Sequence, residues 1–167
     1  MTKIVTDSSV LILLSKCGLI KELCNSFDVY SPSSVISEVA TDEMVEIYPD
    51  AGLVAELVSD QKIRIQDPVV AKQKLPVTLH QGEKDALFLA LNLKRAIFAT
   101  DDKKAIKAAK FFNLPFIITP KIVVDLFKLK IISFEEARRS IEKLSVIGRY
   151  SPDIIANVLL VLNEEIK

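Results

Sequence analysis

The sequence predicts an α/β fold: a three-layer α/β/α arrangement around a central, mainly parallel sheet, with extra helices at the C-terminal end. Three observations carry this expectation. Short runs rich in Val, Ile, Phe and Thr alternate with helical patterns from Lys3 to about Leu129, the signature of a parallel sheet with helices on both faces. Beyond that point two helical patterns follow each other with no strand between them. With 167 residues, half of them hydrophobic, the chain can bury one sizeable core, whereas two domains would leave each half small. The expected organisation is therefore one domain over residues 1–167, with a helical extension over about 133–167 and no internal repeat or linker.

Taken in order, Lys3–Thr6 forms a short strand, and Ser8–Leu23 a helix apolar on most sides through Val10, Leu11, Ile12, Leu13, Leu14, Cys17, Leu19 and Ile20, which predicts central burial. Phe27–Tyr30 reads as a second strand, and Ser31-Pro32 opens a helix carrying Val35, Ile36, Glu38 and Val39. Asp42–Asp60 is acid-rich and reads as helical in pieces around Pro49 and Gly52. Ile63-Arg64-Ile65 alternates like an edge strand. A helix over Gln81–Asn92 precedes the strand Ala96–Thr100, then come a Lys-rich helix to about Phe112, a strand at Phe116–Thr119 and a helix over Pro120–Leu129. Phe111 and Phe112 are expected in the core. Ser133 and Glu136 have capping-box spacing ahead of a helix to Leu144, and Ser151–Glu165 completes the tail.

Composition removes several function classes. Lys plus Arg (22) balance Asp plus Glu (22), so contact with nucleic acid would need a local basic patch rather than overall charge. Cys17 and Cys24 lie seven apart on one predicted helix, roughly 10 Å along its axis, beyond the about 7 Å between Cα atoms that a disulfide tolerates. They read as core thiols in a reducing compartment, and the absence of a leader pattern or a long apolar run points to a cytoplasmic protein that spans no membrane. His80 is the single histidine, which excludes a two-histidine acid–base pair and the zinc motifs that need paired His or Cys. Neither a Gly-x-x-x-x-Gly-Lys loop nor a Gly-x-Gly-x-x-Gly after a strand is present, so no nucleotide cradle is indicated. The remaining chemistry belongs to carboxylates.

Asp7 ends the first strand and Asp101 follows Ala96–Thr100, so a parallel sheet brings both to one edge, where the sites of such folds lie. Glu38 and Glu83 sit on helices able to point into that edge. On the helical wheel Leu87 lies at about 40° from Glu83 and Ala90 at about 340°, while Asp85 lies near 200°, so Glu83 extends the core-facing stripe. A carboxylate there costs several kcal/mol unless paired, and calls for a cation. Each acid also has a plainer reading: Asp7 and Asp101 as helix N-caps, Glu38 as a solvated helix residue, Glu83 as a first-turn acid favoured by the helix dipole. Jointly they point to a site. Clustered carboxylates raise one another's pKa unless a divalent ion neutralises them, and all-oxygen ligation suits Mg²⁺ or Mn²⁺, which in turn suits phosphodiester hydrolysis.

Asp7-Ser8-Ser9, Glu38, Gly82-Glu83 with Ala86 and Ala90, and Thr100-Asp101-Asp102 resemble the acidic motifs of PIN domains, nucleases that include VapC-type toxins of toxin–antitoxin pairs. The resemblance covers most of the chain. Phe112–Ile118 and the tail from Ile147-Gly148-Arg149-Tyr150-Ser151 through Leu159 are similar to a prokaryotic branch with an extended helical C-terminus. The resemblance implies Mg²⁺- or Mn²⁺-dependent cleavage of single-stranded RNA by a homodimer silenced by a small antitoxin protein. It assigns Asp7, Glu38, Glu83 and Asp101 as the catalytic, metal-holding quartet, with Ser8 or Ser9 at a hydroxyl position. The third acid is Glu where many such toxins have Asp, and Asp85 and Asp102 are competing ligands nearby.

Lys103, Lys104 and Lys107, with Lys110 and Arg95, are candidate phosphate contacts for RNA; equally they form an ordinary solvated helix face, since no aromatic residues interleave with them. Two other classes stay open: a non-catalytic interaction domain that keeps the fold and binds a partner through its apolar tail, and a phosphoacceptor or aspartyl-phosphatase domain. The latter lacks its signature, because Asp7 is followed by Ser8-Ser9 rather than by a second Asp two residues on.

Overall fold

A computed structural model describes residues 1–69 and 73–167. Lys3–Thr6 (β1), Asp28–Ser31 (β2), Ile63–Ile65 (β3), Ala96–Ala99 (β4) and Phe116–Ile117 (β5) form one sheet in the order β3-β2-β1-β4-β5, every neighbouring pair parallel. In the central strand, Lys3 stands opposite Asp28 on one side and Ala96 on the other, and Thr6 opposite Ala99. Ile4 and Val5 point to opposite faces of the sheet, yet are only 2% and 0% exposed, as a strand covered on both sides requires. The covering helices are Ser8–Lys16 (α1), Ile20–Ser26 (α2), Ser33–Val39 (α3), Asp42–Ile47 (α4), Pro49–Ser59 (α5), Gln81–Asn92 (α6), Lys103–Phe111 (α7) and Thr119–Lys128 (α8). Phe134–Ile147 (α9) and Pro152–Glu164 (α10) pack on each other, and both contact α8. The result is the three-layer α/β/α arrangement expected, and Leu11, Leu14, Leu87, Leu89, Phe98, Ile122, Leu126 and Ile141 are buried in its core.

Several boundaries differ from the expectation. The first helix does not run unbroken to Leu23: α1 stops at Lys16, where Leu19 N–H donates to the Leu14 carbonyl and Gly18 N–H to that of Ser15, with Gly18 at φ 72°. This is a Schellman cap, which periodicity could not show because the apolar pattern continues across it. Cys17 and Cys24 therefore do not share a helix, and both are free thiols. Pro32 caps α3 from outside its first turn, and Gly52 lies within α5 rather than at a break. The strand anticipated at Phe116–Thr119 ends at Ile117, because Thr119 opens α8. Phe111 is not a core residue; it is 62% exposed at the end of α7, while Phe112 packs against the core. The helix at Ser133 keeps its capping box but extends to Ile147.

Candidate active site

Strand order places the site. From β1 the chain steps to β2 on one side, while β4 and β5 occupy the other, so the helices leaving the carboxyl ends of β1 and β4 diverge and open a crevice between them. Asp7 stands directly after β1 with its N–H bonded to the Ala99 carbonyl at 3.2 Å, and Thr100 and Asp101 stand directly after β4. An open cleft of about 820 Å³ lies here, lined by Asp7, Ser8, Ser9, Glu38, Glu83, Asp101 and Asp102, together with Lys16, His80, Gln81 and the segment Ile147–Tyr150. All four acids anticipated from the sequence thus border one cleft.

Asp7 is 2% exposed and serves two purposes. Its Oδ1 accepts from Val10 N–H at 3.1 Å, capping α1, and from Ser9 Oγ at 2.8 Å; its Oδ2 accepts from Thr100 Oγ1 at 2.5 Å. Burial pushes its carboxyl up to about 7 despite these hydrogen bonds, and the charge of Asp101 adds to the rise.

Asp101 is not a helix cap, as one reading of the sequence had it. Asp102 caps α7 instead, accepting from Ala105 N–H at 2.8 Å. Asp101 reaches across to the start of α8, where its Oδ1 accepts from Thr119 N–H at 2.8 Å and its Oδ2 from Thr119 Oγ1 at 2.6 Å. Burial raises its pKa, and the two bonds to Thr119 oppose the rise.

Glu38 is exposed on α3 and its Oε2 accepts from Ser8 Oγ. Its carboxylate lies against the first turn of α6 in a space that exists only because residue 82 is glycine. A Cβ on Gly82 would stand 2.6 Å from Glu38 Oε1 and 3.0 Å from Cδ and Oε2, closer than any side chain tolerates without moving.

Glu83 is half-buried, less enclosed than its place on the wheel suggested, because its Oε2 turns back to accept from His80 N–H at 3.1 Å. Burial nonetheless raises its pKa, with the neighbouring Asp102 adding to the rise. Asp85 does not line the cleft: its Oδ2 accepts from Ser34 Oγ at 2.7 Å, tying α6 to α3, and its Oδ1 from Gln81 Nε2 of the same helix at 2.7 Å. Lys103, Lys104 and Lys107 are exposed on α7 and also lie outside the cleft lining. The cations that do border it, Lys16 and Arg149, were not anticipated, and neither were the tethering hydroxyls of Thr100 and Thr119. Thr100 directly follows β4 beside an acid and Thr119 opens α8 two residues after β5, placements from which they could have been suspected.

Among the described residues, no three His, Cys, Asp or Glu side chains are drawn together into a ready-made metal cage. Each carboxylate instead turns to a hydroxyl or an amide: Asp7 to Thr100, Glu38 to Ser8, Glu83 to His80, Asp101 to Thr119. The donor set nevertheless suits a hard divalent cation. It is all oxygen, it draws on four separate elements around one cleft, and burial makes the charge on Asp7 and Asp101 costly until a cation offsets it.

Comparison with known proteins agrees with this geometry. The family profile of the PIN domain matches residues 3–165, nearly the whole chain, whereas no curated protein matches it. No helix of the described residues is long and apolar enough to cross a membrane. A parallel sheet ordered β3-β2-β1-β4-β5, acids at the carboxyl ends of β1 and β4, and a match running from the first strand through the last helix together lead to one identification: the chain belongs to the PIN-domain family.

Proposed function

We propose that the protein is a Mg²⁺- or Mn²⁺-dependent endoribonuclease that cleaves phosphodiester bonds of single-stranded RNA. PIN domains are typically nucleases and usually use divalent metals, which supports the reaction class. The observation that carries the reading is the convergence of Asp7, Glu38, Glu83 and Asp101, from four different elements, on the cleft at the β1/β4 crevice.

In this reading the four carboxylates hold the ion, which when bound would lower the pKa of a water and offset charge on a phosphoryl oxygen. The chain's own residues orient the ligands. Thr100 and Thr119 fix the Asp7 and Asp101 carboxylates through hydroxyl hydrogen bonds, so a rotamer search is avoided at these two when ion and substrate arrive, while Ser8 holds Glu38 through a bond open to solvent. Ile12 and Leu13, half-buried on α1, form an apolar wall of the cleft that limits water around the acids. The test is cleavage of a labelled single-stranded RNA by purified protein with Mg²⁺ or Mn²⁺. Activity should vanish in excess EDTA and return on adding Mn²⁺, and undiminished cleavage in EDTA would overturn the reading. The narrower role of toxin in a toxin–antitoxin pair, as a homodimer silenced by a small antitoxin, rests on the resemblance of the acidic motifs. It is tested by purifying the protein from its native host and identifying the small protein that accompanies it.

A further inference from the structure

The turn between α9 and α10 enters the acidic cleft with a conformation that is sterically specified. Gly148 has an extended backbone, φ −89° and ψ 167°, open to any residue, so a glycine here serves space rather than torsion. A Cβ on it would stand 2.1 Å from Tyr150 Cε2, 2.6 Å from Tyr150 Cδ2 and 2.8 Å from the Leu144 carbonyl oxygen. The Cδ2–Cε2 edge of the Tyr150 ring therefore packs against residue 148 in the space that glycine leaves. Its hydroxyl is buried close enough to Asp101 to feel that charge, which together with burial drives the phenol up, yet it has no aligned hydrogen-bond partner among the described residues. Behind the turn, Leu144 of α9 and Val158 and Leu162 of α10 are buried, so both flanking helices are anchored.

Arg149 is carried between these fixed points. It is exposed, it borders the cleft that Asp7, Glu83 and Asp101 line, and it takes part in no ion pair or side-chain hydrogen bond among the described residues. A guanidinium beside so many carboxylates that pairs with none of them is available to an anion. The need for one follows from charge. A polyanionic strand is repelled by the acids, a divalent ion offsets only part of that repulsion, and the chain's net charge of zero gives no overall attraction.

We propose that Gly148–Tyr150 is an anion-binding arm of the site: Arg149 contacts a backbone phosphate of a bound single-stranded nucleic acid beside the scissile bond, and Tyr150 is the positioning residue that holds Arg149 over the cleft. This rests on the nuclease reading but has its own test. Binding of a short labelled single-stranded RNA is measured against salt in an Asp7→Asn background, with melting temperature as the control for folding. Arg149→Ala should weaken binding about tenfold and reduce the slope of log K against log salt by about 0.7, the loss of one phosphate contact to a single strand, with Arg149→Lys restoring the slope. Tyr150→Ala should reproduce the Arg149→Ala loss, and the double variant should lose no more than either alone, because both remove the same contact. An unchanged affinity and slope in Arg149→Ala overturns the arm, as does a failure of the parent protein to bind RNA. Arg149-dependent binding in a wild-type protein that cuts nothing with Mn²⁺ would uphold the arm and overturn the nuclease reading instead.

Discussion

Replacing Gly82 by alanine should separate stability from activity. The new Cβ would lie 2.6 Å from Glu38 Oε1, but the atoms it meets are the far end of a side chain rooted on the exposed face of α3, so the carboxylate will swing away rather than α6 shift. That movement breaks the Ser8 to Glu38 hydrogen bond, a loss of about 0.5–1.5 kcal/mol at most for a contact open to solvent. Alanine in place of glycine in a helix returns about 0.5–1 kcal/mol, and the φ of Gly82 is not positive, so no strain opposes it. The two nearly cancel. At about 2–4 °C per kcal/mol for a chain of this size, the metal-free melting temperature should stay within about 4 °C of the parent. Activity should not survive, because a misplacement of about 1 Å in a reacting constellation can cost about 100-fold. The assay is side by side: thermal unfolding in EDTA, calorimetric Mn²⁺ titration and cleavage of labelled RNA, with Glu38→Gln as the variant that removes the charge without the clash. Full cleavage by Gly82→Ala would show that the seat of Glu38 against α6 is not needed. A fall of more than about 6 °C would show that Glu38 is locked and the helix had to move.

Burial pushes the Asp7 carboxyl from its ordinary 3.8 up to about 7, and the folded state therefore binds a proton that the unfolded chain has lost; stability from this group is present at acidic pH and is lost as pH rises from about 4 through about 7. The metal-free melting temperature should fall across that window, Asp7→Asn should flatten the fall by up to about 4 kcal/mol while abolishing cleavage, and Mn²⁺ affinity should weaken towards tenfold per pH unit below about 7. A stability curve that is the same in both proteins would refute the assignment. Glu83→Gln should abolish cleavage and weaken Mn²⁺ binding, whereas Asp85→Asn, whose carboxylate ties α6 to α3 outside the cleft, should change either by less than about tenfold; the reverse ranking in a paired titration would refute the placement of α6. Thr100→Val, nearly isosteric, should cost about 1–3 kcal/mol and move the acid limb of the cleavage profile to higher pH, since Asp7 loses the hydroxyl that favours its charged form; an unmoved profile would show that the tether is not felt.

How much of this was legible depended on the kind of signal. The alternation that gave the parallel sheet also fixed which strand ends carry acids, because the residue after a strand is readable once the strand is. The wheel placed Glu83 and Asp85 on opposite sides of α6, and they point to different surroundings. What failed was whatever depends on a contact between distant segments. The break at Gly18 is a backbone cap inside a continuous apolar pattern, and Phe111, the last residue of α7, lies on the exposed side of that helix. Arg149 and Tyr150 border the cleft through the packing of α9 and α10 against α8, and nothing local to Gly148-Arg149-Tyr150-Ser151 announces it. The lysines of α7 illustrate the converse: a basic face is visible in sequence, but that it lies outside the cleft lining is not.

The choice between cap and site residue, posed for Asp7 and Asp101 alike, dissolves differently at each. Asp7 caps α1 through Oδ1 and still borders the cleft, because capping leaves Oδ2 to Thr100. At the end of β4 two adjacent acids divide the work: Asp102 caps α7, which frees Asp101 to reach Thr119. The tethers then follow the sheet. The acid after β1 is held by the threonine after β4, and the acid after β4 by the threonine that follows β5, each one strand further out in the order β1-β4-β5. Parallel register makes this stagger possible, because it brings the carboxyl ends of neighbouring strands level: Thr6 stands opposite Ala99, and Ala99 opposite Ile117. An antiparallel β4 would place its acid at the other edge. The orientation of both carboxylates is therefore a property of the sheet, set before any ion or substrate arrives, while Glu38 and Glu83, borne by helices and held only by Ser8 and by the His80 amide, are the two left to adjust.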